Sequence, residues 1–401
     1  MNGSREHRKI KKITGEICKT ARNLWEEVFE EDSKQFTDYY FANKAEKNIG
    51  YVIGKTPYDA MMFRTPYSLK IGERQRVISY IVGVATRKEC RHRGYMRQLL
   101  LHSFREMYEE KEPFAFLMPA NPAIYEPFDF RYIYERDVWE LKEPEHVIEM
   151  LEALTFQERE EEDENNFLPK GLFRKEKLHG LYSVRNLRKH FSQFPILELL
   201  VECANRNLEE HYNIYVHRDV SYYEMQLKES EAQNGDIYVF FEQGEIKAFF
   251  LYAKEGEEIF IQEVMEEQAG VLDFLQKAEK KKPIIMARIL HLEEMMKLVC
   301  SKENKTMIIE IKDELIPENA GVFRWELTPK GSFVTKIASK ISDKDKKISC
   351  KTNEINDEVM KKETKICNEI MEDSEIVPEV SMHIRDFVAW VLTGVFLNEI
   401  V

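Results

Sequence analysis

Three features of this 401-residue sequence could do chemistry. The first is a basic turn: residues 87–97 hold Arg87, Lys88, Arg91, Arg93 and Arg97 against a single acid, Glu89. The turn joins a strand pattern, Val77 to Thr86, to a helix pattern running from Tyr95 to near Tyr108. Met96, Leu99, Leu100, Phe104 and Met107 fall on one face of that helix. The first N–H groups of a helix lack partners within it, so a strand entering a basic turn at a helix start is an anion site. Gly94 lets backbone come close to the anion. No Gly-Lys-Ser/Thr follows and only one glycine is present, so the turn is neither a Walker loop nor a dinucleotide fingerprint. The second feature is Tyr125, in Pro122-Ala123-Ile124-Tyr125-Glu126-Pro127-Phe128. A phenol with an ordinary pKa of about 10 can give a proton to a leaving group; equally, it can be a core side chain with a satisfied hydroxyl. The third is the end of the chain. Met382 to Val401 carries Phe387, Val388, Trp390, Leu392, Phe396, Leu397 and Ile400, and stays apolar to its last residue. Most termini fray. This one either packs as a final helix with its carboxylate at the surface, or carries that carboxylate inside, where it must have a partner or a task.

Composition narrows the classes. Apolar residues make up 43% and charged residues 33%, which suits a chain of two or three domains with real cores. A net charge of −13 disfavours nucleic acid and favours cationic partners. Against that background, the basic turn is a local reversal of sign that fits an anionic ligand such as CoA. Six cysteines are scattered without a C-x-x-C pair, so no metal site and no disulfide framework is expected. No apolar run has transmembrane length and the N-terminus lacks a signal h-region, so membrane insertion is not expected and a cytoplasmic location is.

The elements that must position these groups follow in order. Residues 10 to 50 read as helical, with Asp32-Ser33 as a cap and a dense acidic face, Glu26, Glu27, Glu30 and Glu31. That face is either solvated surface or an entrance for a cation. Strands are expected near Tyr51–Ile53, Ala60–Arg64 and Tyr67–Lys70. The basic turn and its helix come next, then a short strand at Pro113–Met118 and a short helix at Ala123–Phe128. Glu158 to Glu164 is a charge run inside a connector over residues 142–180. Beyond it come a helix near Val201–Tyr212, a strand at Ile214–Arg218 and a hairpin over Ile237–Leu251 turning at Gln243-Gly244. A helix is expected at His291–Cys300, a strand at Met307–Asp313, and a turn at Asn319-Ala320-Gly321 leading into an aromatic strand. Lys336 to Lys347 reads as a surface loop.

Arg91-x-x-Gly94 resembles the pyrophosphate loop of the GNAT acyl-CoA N-acyltransferases, Arg/Gln-x-x-Gly-x-Gly/Ala, with Met96 departing at the last position. Val84-Ala85-Thr86, Arg91-His92-Arg93-Gly94-Tyr95-Met96-Arg97 and Ile124-Tyr125-x-x-Phe128-x-Phe130 together resemble the Eis-like (enhanced intracellular survival) acetyltransferases. That family has Gly where this chain has Asp129. The resemblance implies an α+β chain of tandem GNAT folds, with mixed sheets flanked by helices, and a sterol-carrier-like (SCP2-like) domain. The expected divisions are residues 1–141, catalytic; 142–283, a degenerate second GNAT domain without its own loop; and 284–401, which supplies the terminal carboxylate.

It further implies acetyl transfer from acetyl-CoA to a primary amine without a metal. Val84, Ala85 and Thr86 would hold the pantetheine arm. His92, Arg93, Gly94, Tyr95, Met96 and Arg97 would hold the pyrophosphate, and Ala120 and Asn121 would touch the cofactor further on. Tyr125 would be the general acid and the α-carboxylate of Val401 the general base. The implied acceptors are aminoglycosides, polyamines or lysine side chains, and the implied assembly is a homo-oligomer, a hexamer. Two other readings stay open: a long-chain N-acyltransferase of tandem-GNAT type, and a non-catalytic protein that binds a lipid or a partner through the sterol-carrier-like domain.

Overall fold

The computed structural model describes residues 9–142, 147, 151, 183–190, 196–256, 258–337 and 378–398. The expected connector with its Glu158–Glu164 run, most of the Lys336–Lys347 segment and Val401 lie outside the described residues. Within them the chain is mixed α+β, with sheets flanked by helices.

The main sheet runs Ile10–Thr14, Ile49–Ile53, Ala60–Ile71, Arg74–Thr86, Phe114–Leu117, Lys282–Ile289, Arg131–Arg136 in spatial order. Its central strands read as nearly unbroken apolar runs because both faces are covered. Successive residues alternate between two cores. Tyr51, Ile53, Met62, Ile81, Ala115 and Leu117 meet the helix Tyr95–Glu109 through Leu99, Leu100, Phe104 and Met107. Val52, Met61, Phe63, Tyr80, Val82, Phe114 and Phe116 face the opposite core with Trp25 and Tyr40. A slip of one residue would exchange the two sets, so register is fixed by burial on both sides.

Later chain enters this sheet three times. Ile214–Val216 pairs with Leu69–Ile71, and Val395–Phe396 pairs in parallel with Ile214–Tyr215. Lys282–Ile289, which straddles the expected division at 283/284, lies between Phe114–Leu117 and Arg131–Arg136. A second sheet, Glu258–Glu266, Glu245–Glu255, Asp236–Glu242 and Ser183–Asn186, is antiparallel. Its hairpin turns at Gln243 and Gly244, with φ of 53° and 85°, the left-handed pair that a two-residue turn requires. The third sheet, Gly331–Ile337, Gly321–Thr328, Lys305–Lys312 and Val380–His383, is antiparallel except for its last, parallel pair. The helices Leu292–Leu298 and Ile384–Val391 cover it, and Trp325 donates to the Met296 carbonyl at 3.2 Å.

Residues 10 to 50 depart from the helical expectation at their start. Ile10–Thr14 is a strand against Ile49–Ile53, followed by a 3-10 segment and the helices Arg22–Val28 and Lys34–Asn43. Ser33 does cap, accepting from the Phe36 N–H at 3.1 Å.

Arg288 joins the first and third sheets. It is fully buried, pairs with Asp129 at 2.9 Å and bridges both carboxylate oxygens of Asp313 at 3.0 and 3.1 Å. Asp313 also accepts the Leu315 and Ile316 N–H groups and the Asn319 amide, each at 3.0 Å. Arg288→Met would strand two carboxylates in low dielectric, a loss of about 3–5 kcal/mol. The expected result is a lower urea midpoint with an unchanged slope.

Candidate active site

The parallel pairing of Arg74–Thr86 with Phe114–Leu117 is confined to Ser79 with Ala115 and Tyr80 with Phe116. Past Tyr80 the ladder stops, so Val84, Ala85 and Thr86 keep one edge out of it. On the other edge a bulge falls between Met61 and Phe63, opposite Val82 and Ala85. Gly83 makes it possible: its φ is +60°, and a Cβ there would stand 2.6 Å from the Trp25 ring. The result is a short length of extended backbone that a ligand chain can pair with as a strand would.

The basic turn comes next. The Arg87 N–H donates to the Asp59 carbonyl at 2.9 Å, and its guanidinium holds Glu27 at 3.0 Å. Arg91 Nε donates to the Thr86 carbonyl at 3.2 Å, and Arg93 donates to the Glu89 carbonyl at 3.0 Å. These two cations therefore tie the loop to itself while their side chains stay exposed. His92 and Gly94 both take positive φ, 63° and 79°, and Gly94 is the helix N-cap with no side chain to fill it. The first N–H to reach back is that of Gln98, to the Gly94 carbonyl at 3.0 Å. The N–H groups of Met96 and Arg97 precede it in the first turn, where a helix supplies no partner of its own. Met96 packs against the core around Leu99, so its side chain turns away from that opening. Open strand edge, helix start and exposed cations fit the arm and the phosphates of a CoA thioester.

Tyr125 is the hinge between two 3-10 turns, Pro122–Ile124 and Glu126–Phe128, where a single short helix was expected. The prolines set the break: Pro122 opens the first turn and Pro127 is the second residue of the next. The Asn121 side-chain Oδ1 caps the first turn, accepting from the Ala123 N–H at 3.0 Å. Ala120 and Asn121 are exposed beside it. The Tyr125 ring meets Phe130 edge-on at 5.9 Å. Burial pushes its phenol up to about 12, and among the described residues its hydroxyl has no hydrogen-bond partner. Arg97 lies over Phe128 at 5.6 Å, which joins the turn to the Tyr125 segment. Asp129 holds φ +64° where the Eis-like pattern has Gly, and its carboxylate is the one that binds Arg288.

The acids of the first helix are spent locally. Glu26 pairs with Arg22 at 2.7 Å, Glu27 with Arg87, and Asp32 accepts the Trp25 indole N–H at 2.7 Å. The last described residues, Val395 to Asn398, are buried. The Val401 carboxylate lies beyond them, outside the described residues. Sequence reasoning passed over Gly83 and Asp129; a glycine inside a strand pattern is the usual mark of a bulge, and Asp129 carried no local signal of its partner.

Residues 9–133 match a sequence family described as "Acetyltransferase (GNAT) domain". No curated protein matches the chain. Among solved structures, a protein of unknown function from Enterococcus faecalis V583, described as a probable N-acyltransferase, is 14% identical with a TM-score of 0.62, over 83% of this chain and 86% of that one. A GCN5-related N-acetyltransferase from Anabaena variabilis is 15% identical at 0.58, over 82% and 85%. Eis1 from Mycobacterium abscessus is 11% identical at 0.58, over 96% and 89%. At such identities the likeness is one of fold. The chain thus carries a GNAT acetyltransferase domain in its first third, and the domain match with these neighbours supports an acyltransferase.

Gly94→Val puts a β-branched residue at φ +79°, a strain of about 1–2 kcal/mol that the loop can relieve only by moving its N–H groups. The expected outcome is CoA affinity about tenfold weaker by calorimetry, with a near-wild-type circular dichroism spectrum.

Proposed function

We propose that this protein is an acetyl-CoA-dependent N-acetyltransferase acting on primary amines by direct transfer. The observation that carries the reading is the junction of a strand end open along one edge, Val84–Thr86, with a helix start at Gly94 that no side chain caps. Acetyl-CoA supplies the thioester. His92 to Arg97 hold its pyrophosphate, Val84 to Thr86 its arm, and Ala120 and Asn121 border it.

The acceptor amine attacks as the free base, so a C–N bond forms as the C–S bond breaks. Its proton passes to the Val401 carboxylate, directly or through water, and Tyr125 Oη gives a proton to the departing sulfur. A phenol pushed up to about 12 stays protonated through neutral pH, which suits a donor. Backbone N–H groups aimed at the carbonyl oxygen contribute about 3 kcal/mol each where they act. Transfer is direct, so no nucleophilic cysteine is needed; buried Cys90 has no part in it. The acceptors proposed are aminoglycosides, polyamines and lysine side chains, consistent with an acidic protein. The later segments are proposed as a degenerate GNAT repeat and a sterol-carrier-like domain.

One assay tests this: thioester consumption with a panel of aminoglycosides and polyamines, using wild type, Tyr125→Phe and a chain extended by a few residues past Val401. Both variants are expected to lose most turnover and keep CoA binding. Wild-type rates in the extended chain would remove the terminal base, and faster release of CoA from myristoyl-CoA than from acetyl-CoA would move the reading to long-chain acyl transfer. The pH profile gives a further check. Free phenol ionises at about 10, so the alkaline limb of wild-type kcat set by Tyr125 is expected above that pH, near 12.

A further inference from the structure

A cleft of about 520 Å³ opens where three distant parts of the chain meet: Arg131–Arg136 with Asp137 and Trp139, Gln262–Val264, and the C-terminal segment from Ala389 to Asn398. None of its lining residues belongs to the donor site described above. Its volume falls in the range of small-molecule sites, roughly 300–1,000 Å³.

Apart from Asp137 Oδ1, which stands 3.3 Å from the Lys281 ammonium, three buried polar atoms on its lining residues have no hydrogen-bond partner among the described residues: Arg136 Nη1, Glu263 Oε1 and Asn398 Oδ1. Native proteins seldom leave such atoms unpaired, and less so when they are charged. Two of the three side chains are fixed through their other atom. Glu263 Oε2 accepts from Arg218 at 3.2 Å, and Asn398 Nδ2 donates to the Gln262 carbonyl at 2.5 Å. Glu263 and Asn398 are each only 8% exposed. Burial pushes the Arg136 guanidinium below its usual pKa, so its charge is held at a cost, and among the described residues no carboxylate pairs with it. The other charges on the wall largely answer one another: Asp137 holds Lys277 at 2.7 Å and Lys281 at 3.3 Å. Tyr134, Tyr212 and Phe396 stack through centroid distances of 5.5 and 5.0 Å and give the cleft an apolar floor.

One unpaired cationic donor and two unpaired acceptors, one of them a carboxylate, over an aromatic floor call for a ligand of matching polarity. We propose that this cleft binds a small amino carboxylate, its carboxylate on Arg136, its ammonium group on Glu263 and Asn398, and its carbon chain on the rings. This is a binding site in its own right and does not depend on acyl transfer.

Calorimetry on the full chain tests it with four probes: norleucine, 6-aminohexanoate, hexanoate and pentylamine. At least one of the two amino carboxylates is expected to bind about tenfold or more tighter than either single-ended probe, since hexanoate leaves Glu263 Oε1 and Asn398 Oδ1 without a donor and pentylamine leaves Arg136 without an anion. Arg136→Met is expected to weaken that binding about tenfold or more without lowering the melting temperature, because it removes a cation that has no partner among the described residues. Glu263→Gln tests the other end but also touches Arg218, so Arg136→Met decides. Binding of neither amino carboxylate, equal binding of hexanoate or pentylamine, or undiminished binding by Arg136→Met would each overturn the proposal. An acetyltransferase that ignores all four probes would keep the proposed function and lose this site; a binder without transferase activity would do the reverse.

Discussion

A guanidinium with no access to water holds the architecture together. Arg288 is fully buried, and each of its two charged neighbours comes from a different part of the chain: Asp129 from the turn after Tyr125, and Asp313 from the loop that leaves the strand Lys305–Lys312. A lone guanidinium in that position would be costly; with two carboxylates its charge is answered, but only if both arrive in place. Phe104 of the helix that follows the basic turn lies 5.3 Å from the same group. His383, from the strand that pairs in parallel with Lys305–Lys312, stands 3.7 Å from Asp129. One buried charge therefore fixes the turn carrying the candidate acid, the helix carrying the candidate anion site and the edge of the third sheet.

The donor site depends on that frame because its own parts are deliberately incomplete. A strand end open along one edge, a helix start without a side-chain cap and a phenol with no partner among the described residues are each less stable than their completed forms. They persist where surrounding structure over-determines them. Trp25 fills the space beside Gly83 and stacks on Tyr40 at 4.4 Å, which supports the bulge. The helix Tyr95–Glu109 is pinned along its whole apolar face. Two of the loop's arginines turn back on its carbonyls, so the loop keeps its shape without a ligand.

Legibility in the sequence followed the range of the interactions. The helix after the basic turn was readable because its period is local and Gly94 marks its start. The hairpin at Gln243-Gly244 was readable for the same reason. The strand Ile10–Thr14 was not: Ile10 and Ile13 also fit a helix, and the strand state is set by pairing with Ile49–Ile53. Lys282–Ile289 is largely apolar but gave no sign that it would enter the first sheet, whose nearest members end near residue 136. Ile214–Val216 likewise looked like a piece of the middle segment, yet its ladder is with Leu69–Ile71. The two prolines near Tyr125 announced a turn, but not that there would be two. Backbone pairing across 150 residues leaves no mark on either strand's composition.

Asp129 shows how one substitution can belong to two problems at once. The position needs φ near +64°, which glycine adopts freely and which aspartate tolerates better than most side chains. A glycine there would keep the turn and leave Arg288 with Asp313 alone. An aspartate accepts modest backbone strain and gains a charge-assisted bond in low dielectric, where such bonds are strong. The balance favours aspartate only because Arg288 is already present and buried. Departure from the Eis-like pattern at this residue and the docking of the third sheet are thus one event: a side chain added at a turn, answering a charge delivered by a strand some 160 residues later in the chain.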